Sequence, residues 1–529
     1  MDPVDRVDPV DATPPRDDIG AAADARAAAP LLNCLLREVA EPVGPDAPGA
    51  HRLRASGRLL RVRGTRRPTH PEVRTADAWQ PLTHTELVKL TTEELRALTG
   101  LSNPELPAEM LDSREAVAAV LTARDRTPAP GDPYRRSEQS LITGHPFHPA
   151  PKARGGGPAA GWLPYAPEVY AHFPLTLLGV RADTVVEEGD TTALDALAPA
   201  PPGYRLLPAH PWQLDLLGDT LTEAFADGRL VRLGRTDGDV WPTAAIRTVY
   251  LPGSAPGAES GTESGGAPAV SDLFLKFSLD VRITNDIRRL WRHDLLKLRR
   301  TDRAVTEAFA ALPGAWLSDR GYRTADFAFE ELAVLVRDGL FGHVPPGTTP
   351  FLAAALTEGT EAFPGNPLAD ATDPEAWWEG YLRAVVPPAL AAFHGHGVVL
   401  EAHLQNTVIA CDPSGTPVRA VYRDAEGVKL LPDMTREAGW ERLVYCLFVN
   451  NLLEIAAALA EHHPGLDPWP AVRHELARHP DVPEAVDLPD SPTLPGKTNL
   501  LLRWTGADGA DARYLPLPNP IRRGRGRTE

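Results

Sequence analysis

The sequence predicts an α+β fold, on three observations. Its first third carries amphipathic helical runs, its middle third is rich in strand-like segments, and its last third returns to helices. At 529 residues it has room for several cores, about three or four domains at ~150 residues each.

Residues 1–28 are acidic, rich in Pro and Ala, and free of aromatics, so they read as a disordered tail. Helical spacing begins at Ala29, in APLLNCLLREVAEP. RLLRVRG (58–64) reads as a short strand. THTELVKLTTEELRALTG (83–100) offers capping threonines and a closing Gly100, and PAEMLDSREAVAAVLTARD (107–125) is a second amphipathic helix. From 127 to 165, Gly, Pro, His and basic residues replace periodicity, which marks a loop-built site. YRLLPAHPWQ, TAAIRTVYL and VSDLFLKFSLDV are strand-like. Between the last two, GSAPGAESGTESGGAP (253–268) has linker composition and predicts a mobile tip joining two antiparallel strands. Helices follow at 374–397 and 439–463. The stretch 398–430 between them reads as strand, turn at Gly415, strand and loop.

Composition narrows the function. A net charge of −17 disfavours nucleic acid and anionic membrane as partners. No apolar run approaches the ~18 residues of a membrane span, and the acidic, Pro-rich start does not read as a signal peptide. Cys34, Cys411 and Cys446 are too scattered for a disulfide framework or a structural zinc site, which points to a reducing cytoplasm. Only six of the 54 basic residues are lysines. Where Lys persists against such a bias, a compact ammonium is favoured over a guanidinium fork.

Three constellations carry chemistry. The first is SEQSLITGHPFHPAPKARG (137–155), which sets His145, His148, Lys152 and Arg154 on a Gly/Pro-stiffened loop suited to a polyanion. The second joins AIRT (245–248) to KFSLDVRITNDIR (276–288). Arg247 and Lys276 face one cleft from paired strands, Thr284 caps a helix start, and Arg288 follows one turn on. Arg289 and Arg292 read as a solvated helix face. The third is HGHGVVLEAHLQN (394–406) with RDAEG (423–427). On a strand, Glu401, His403 and Gln405 share one face. With Asn406 and Asp424 they supply the oxygen-rich donors that Mg²⁺ and nucleotide phosphates prefer. Zinc on His145/His148 or on His394, His396 and His403 is disfavoured, because Cys and carboxylate partners lack zinc spacing.

In order along the chain, GHPFHPAPKARGG, YAPE, LPAHPWQ, PTAAIRT, KFSLDVRITNDIR, HGVVLEAHLQN, RDAEG and the stretch from Lys497 to Pro520 resemble the IucA/IucC family of siderophore synthetases. The resemblance covers roughly residues 135–520. It implies a cupped hand of three lobes: a thumb over 29–200, fingers over 201–365 and a palm over 366–529. It implies ATP and Mg²⁺ as cofactors, a cytoplasmic homodimer, and small-molecule partners only. The implied reaction adenylates a carboxylic acid, citrate or a related polycarboxylate first, and traps it with an amine or hydroxyl. On this chain the resemblance implies catalytic roles for His145, Lys152, Arg154 and Arg288. It implies nucleotide contacts for Arg247, Lys276, Thr284, His403, Gln405 and Asn406, and metal contacts for Glu401 and Asp424. The family's usual Ser two residues before the RT pair is Ala245 here.

Other readings stay open at this point. One is the same chemistry on a succinylated hydroxamate-diamine. Another is a kinase-like phosphotransferase, which would release ADP rather than AMP and pyrophosphate. A third is a nucleotide- or siderophore-binding protein without turnover.

Overall fold

The structure is a computed structural model that describes residues 16–76, 78–253, 271–507 and 514–522. Helix α1 (Arg16–Val39) opens the chain. The expected disordered tail over 1–28 is thus corrected for 16–28. Alanine has the highest helix propensity, and Ala23, Ala27 and Ala28 are buried. Arg114 anchors this segment through Asp24 at 2.8 Å. Residues 1–15, and most of the 253–268 linker, lie outside the described residues.

Five antiparallel strands follow as a meander: β1 (Ala40–Pro42), β2 (Ala50–Leu53), β3 (Leu59–Arg63), β4 (Thr69–Arg74) and β5 (Trp79–Pro81). Sequence analysis anticipated only β3, because the others are short and bury few residues. Helix α2 (His84–Thr99) starts at a capping box between Thr83 and Glu86 and stops at left-handed Gly100, as expected. Helix α3 (Glu105–Arg124) completes this unit. Its core includes Leu31, Leu35, Leu60, Leu87 and Leu106, together with Leu500 and Trp504 from the far end of the chain.

The middle region holds a six-stranded antiparallel sheet. Its spatial order is Trp241–Pro242, Thr248–Leu251, Leu273–Phe277, Val334–Asp338, Asp319–Ala325 and Val185–Gly189. The expected pairing of the strands around Arg247 and Lys276 is present, with Thr248 opposite Lys276. The strand expected over TAAIRTVYL is shorter, because residues 243–247 form a turn in which Ile246 takes φ +57°. A three-stranded sheet, Tyr204–Ala209, Thr176–Arg181 and Leu230–Arg235, packs on the same core.

The last region packs a four-stranded sheet against helix Pro374–His396, with a hairpin turn at Gly415 as expected. A continuous helix, Arg436–His462, contains a π-helical stretch, Val444–Leu452. By length and composition it meets the criterion for a membrane span, yet 78% of its apolar window is buried in the fold. Residues 400–406 are not the expected strand. They run as irregular chain into a short 3₁₀ turn, Leu404–Asn406.

Candidate active site

Strand Leu273–Phe277 is buried throughout. Leu273, Leu275 and Phe277 enter one core and Phe274 enters another, so the two-residue alternation puts Lys276 on the Phe274 side. There Lys276 Nζ donates to Asp424 Oδ1 and Glu426 Oε2, both at 2.7 Å. Arg247 Nη2 donates to the same Glu426 Oε2 at 3.2 Å. Its Nη1 donates to the carbonyls of Arg288 and Arg289 at 3.1 and 2.9 Å. Arg337, on the adjacent strand, pairs with Asp319 at 2.6 Å and reaches Asp424 at 3.2 Å. Burial by itself raises the Asp424 carboxyl, but Lys276 and Arg337 together hold it well below the usual carboxylate range. Glu426 is lowered in the same way by Lys276 and Arg247, against its burial.

Thr284 does not cap a helix. Val-Arg-Ile and Ile-Arg flank a two-residue turn, and Leu279–Ile283 pairs back on Asp286–Arg288 as a hairpin. Thr284 alone in that turn has positive φ, +61°, a position where glycine is usual. The hairpin still brings the expected pair together, because Arg288 Nη2 donates to Thr284 Oγ1 at 2.5 Å. Burial lowers Arg288, and the neighbouring Arg247 adds to the effect. Arg289 is not a free solvated charge. It forms a two-point pair with Asp280, both contacts at 2.6 Å. Arg292 is exposed, as expected.

Of five non-glycine residues with positive φ among the described residues, three are Ile246, Thr284 and Asp424. Backbone strain of this kind collects where a site dictates side-chain direction.

The 143–155 loop divides its basic residues between two environments. His145 is exposed on the cleft wall, and its Nδ1 accepts from Phe147 N at 3.0 Å. The crowded wall, then the nearby positive groups of His403, Lys497 and Arg37, pull its pKa below the usual imidazole value. His148 is buried. Its Nδ1 accepts from Ala150 N, leaving Nε2 to donate to Asn285 Oδ1 at 3.3 Å.

Lys152 and Arg154 depart from expectation. They are 6% and 5% exposed, and both bind Glu168 of the YAPE segment, Arg154 at 2.9 Å. Burial would raise Glu168, but the two cations hold it down at about 2. Lys152 is itself lowered, because burial outweighs its attraction to Glu168. The pair therefore stabilises the fold less than the carboxylate alone suggests. In this arrangement Lys152 and Arg154 anchor the loop through Glu168. Unpaired cations are costly to bury, and Glu168 is the carboxylate that the fold supplies.

Glu401, His403 and Gln405 are half-exposed, while Ala402, Leu404 and Asn406 between them are buried. The alternation expected of a strand is thus realised without one. Arg442 Nη2 holds Glu401 Oε1 at 2.8 Å, and His403 Nε2 lies 3.9 Å from Glu401 Oε2. Glu401 packs against Gly427, where an added Cβ would meet its Oε2 at 1.9 Å. Glu401 and the Asp424–Gly427 loop therefore form one acidic rim. Asn406 is buried, and its carbonyl accepts from Arg423 N at 3.1 Å. Arg423 pairs with buried Glu138 at 2.6 Å, and Glu138 also accepts from Ala244 N at 3.1 Å. One carboxylate thereby ties the 423–427 loop to the turn that carries Arg247.

Arg337, Asp319 and Arg442 escaped the sequence reading, and Glu426 and Lys497 lay in its motifs without a role. Arg337 carried a usable signal, a charge inside the buried run VLVRD. Lys497, lowered by burial with Glu401 pushing it back up, belongs to the C-terminal hairpin that completes the cleft. Among the described residues no cluster of three His, Cys, Asp or Glu side chains could hold a metal by itself.

The chain is similar to known proteins along most of its length. The profile of the IucA/IucC family matches residues 133–358, which contain Arg247, Lys276 and Arg288. The profile described as "Ferric iron reductase FhuF-like transporter" matches residues 375–512, which contain Glu401, Asp424 and Lys497. The chain is 28% identical over 458 residues to the L-2,3-diaminopropanoate–citrate ligase of Staphylococcus aureus, covering 74% of this chain and 75% of that protein. It is 29% identical over 486 residues to the rhizobactin siderophore biosynthesis protein RhbC of Rhizobium meliloti, covering 77% and 80%. The ATP-bound aerobactin synthetase IucA of Klebsiella pneumoniae superimposes with a TM-score of 0.76 at 20% identity, covering 94% of this chain and 99% of that one. Over residues 133–358 the chain is thus similar to the IucA/IucC family, and it shares the fold of aerobactin synthetase IucA.

Proposed function

We propose that this chain is an ATP-dependent ligase that adenylates citrate or a related polycarboxylate and joins it to an amine or hydroxyl, releasing AMP and pyrophosphate. One observation carries the reading. Arg247 and Lys276 share Glu426, the Arg288 guanidinium lies near Arg247 and the same carboxylates, and Arg442 and Lys497 flank Glu401. Attack of a carboxylate on the α-phosphate brings two anions together, and such convergent positive charge screens them and the leaving pyrophosphate. Citrate as the acid is supported by the names of relatives such as the S. aureus citrate ligase.

In this reading Lys276 and Arg247 grip the triphosphate, exchanging Asp424 and Glu426 for phosphate oxygens. His403, Gln405 and Asn406 flank the nucleotide. Arg288, held by Thr284, takes the acid's carboxylate in two-point fashion, with Arg442 and Lys497 facing its remaining carboxylates. His145, kept neutral at ordinary pH and with Nδ1 taken up by Phe147 N, presents its Nε2–H as a hydrogen-bond donor toward the oxygens of the bound nucleotide or acyl group.

Glu401 beside Gly427 and Asp424 beside Lys276 carry hard oxygens of the kind Mg²⁺ takes, and the nucleotide phosphates would supply further donors. When bound with the nucleotide, Mg²⁺ neutralises phosphate charge. Three buried free thiols suit a reducing cytoplasm, and we extend the family's homodimer to this chain. The test is a pyrophosphate-release screen of carboxylic acids with ATP. AMP and pyrophosphate formed with citrate support the reading. ADP formation would replace it with phosphoryl transfer, and binding without turnover would remove the enzyme reading.

A further inference from the structure

We infer that Glu38, in the last turn of α1, is a positioning residue for the acid-binding side of the cleft. This rests on the reading that the acid lies against Arg288, Arg442 and Lys497.

Glu38 is 3% exposed. Its Oε1 accepts from Leu500 N at 2.9 Å and its Oε2 from Leu501 N at 2.8 Å. These are first-turn amides of helix Asn499–Thr505, which starts two residues after Lys497. Burial pushes the Glu38 carboxyl up to about 7 while the two amides pull it back, and its ionised form satisfies two donors that the helix cannot and opposes the positive end of the helix dipole. It thereby fixes where the strand ending at Lys497 turns. Asn499 then joins three site segments. Its Nδ2 donates to Phe147 O at 2.7 Å, and its Oδ1 accepts from Asn285 Nδ2 at 3.3 Å, beside Thr284. The C-terminal half of α1 also braces the His145 loop. Asn33 Nδ2 donates to Pro146 O at 3.1 Å, and the Arg37 guanidinium lies 3.2 Å over the Phe147 ring. Glu38 touches no part of the cleft itself, so its effect passes through Asn499 and Lys497.

The experiment measures pyrophosphate release by the full chain with ATP and citrate, for Glu38→Gln and for Lys497→Met, alongside hydrogen exchange. Glu38→Gln retains one acceptor oxygen but loses the second and the charge. It is expected to raise the KM for citrate about five- to tenfold. The KM for ATP should stay within twofold, and exchange at the Leu500 and Leu501 amides should quicken. Glu38→Asp, read the same way, replaces Glu38→Gln if that variant folds poorly. Equal movement of both KM values, or faster exchange with an unchanged citrate KM, overturns the inference. If Lys497→Met raises the citrate KM and Glu38→Gln does not, the acid site stands and the role of Glu38 falls. If Lys497→Met leaves it unchanged, the acid site is misplaced and the inference falls with it.

Discussion

Lys276 and Asp424 lie 148 residues apart in sequence and meet at 2.7 Å, Lys276 from a central strand and Asp424 from a left-handed turn. Glu426 completes the contact at 2.7 Å. The ammonium is thus poised by two carboxylates in the place proposed for the triphosphate. Lys276→Met should raise the KM for ATP at least tenfold, since a charge-assisted hydrogen bond is worth about 1.5–3 kcal/mol. It also leaves two carboxylates without their shared partner, so the melting temperature should fall. Mg-ATP titration and a thermal melt read the two effects separately.

Arg288 is proposed to grip the acid. Arg288→Lys keeps the charge but not the two-point geometry, and should lower kcat/KM for the acid about ten- to a hundredfold. ATP affinity should change little. Arg292→Lys is the matched control, because that side chain is exposed at a helix start. Arg289 is unsuited to that role, being held by Asp280. Similar behaviour of the two variants would move Arg288 out of the acid site.

Gly427→Ala tests the acidic rim. The new Cβ would fall 1.9 Å from Glu401 Oε2, so either Glu401 or the loop must shift. Turnover should drop roughly tenfold or more, because misplacing a site group by about 1 Å costs up to ~100-fold. The Mg²⁺ concentration for half-maximal rate should rise as well. A fully active Gly427→Ala enzyme would show that Glu401 is dispensable.

Ala245→Ser restores a hydroxyl to the turn before Arg247. Ala245 is half-buried there, and its carbonyl accepts from Arg247 N at 2.6 Å. The variant should preserve or raise adenylation, with one hydrogen bond adding about 0.5–1.5 kcal/mol. Collapse of pyrophosphate release would mean that the pocket is shaped around the missing hydroxyl.

Glu168 gives the fold an acid limit. Burial raises its carboxyl, but Lys152 and Arg154 bring it down to about 2, against an ordinary value of 4.5. A carboxyl depressed on folding contributes stability above its unfolded pKa and loses it as pH falls through the folded one. That contribution should therefore disappear between about pH 4.5 and 2. It is at most about 3 kcal/mol, less the cost of burying Lys152. In Glu168→Gln, stability measured by denaturant titration should depend less on pH across this window, from a lower starting value at pH 7.

The Arg288–Thr284 contact shows how far sequence reading reached. Residue types and order were enough to pair the two. A spacing of four suits a helical turn as well as a tight hairpin, and only long-range packing of Leu279 and Val281 selects the hairpin. The 401–405 segment is similar. Its alternation of exposure follows from its residues, whereas its irregular backbone follows from where Arg442 and Gly427 hold Glu401.

By itself the sequence determined the grouping of helices and strands, the α2 caps, the Gly415 turn and the pairing across Arg247 and Lys276. These depend on neighbours a few residues away or on strand periodicity. Tertiary structure decided the rest. It directed Lys152 and Arg154 into Glu168, because a buried cation goes to whichever carboxylate the fold brings within reach. It recruited Glu426, Arg337, Arg442 and Lys497, whose roles depend on partners far along the chain. It also set α1 under the cleft. Local composition alone gives an Ala-rich segment no surface to bury, and α3 and the C-terminal helix provide one.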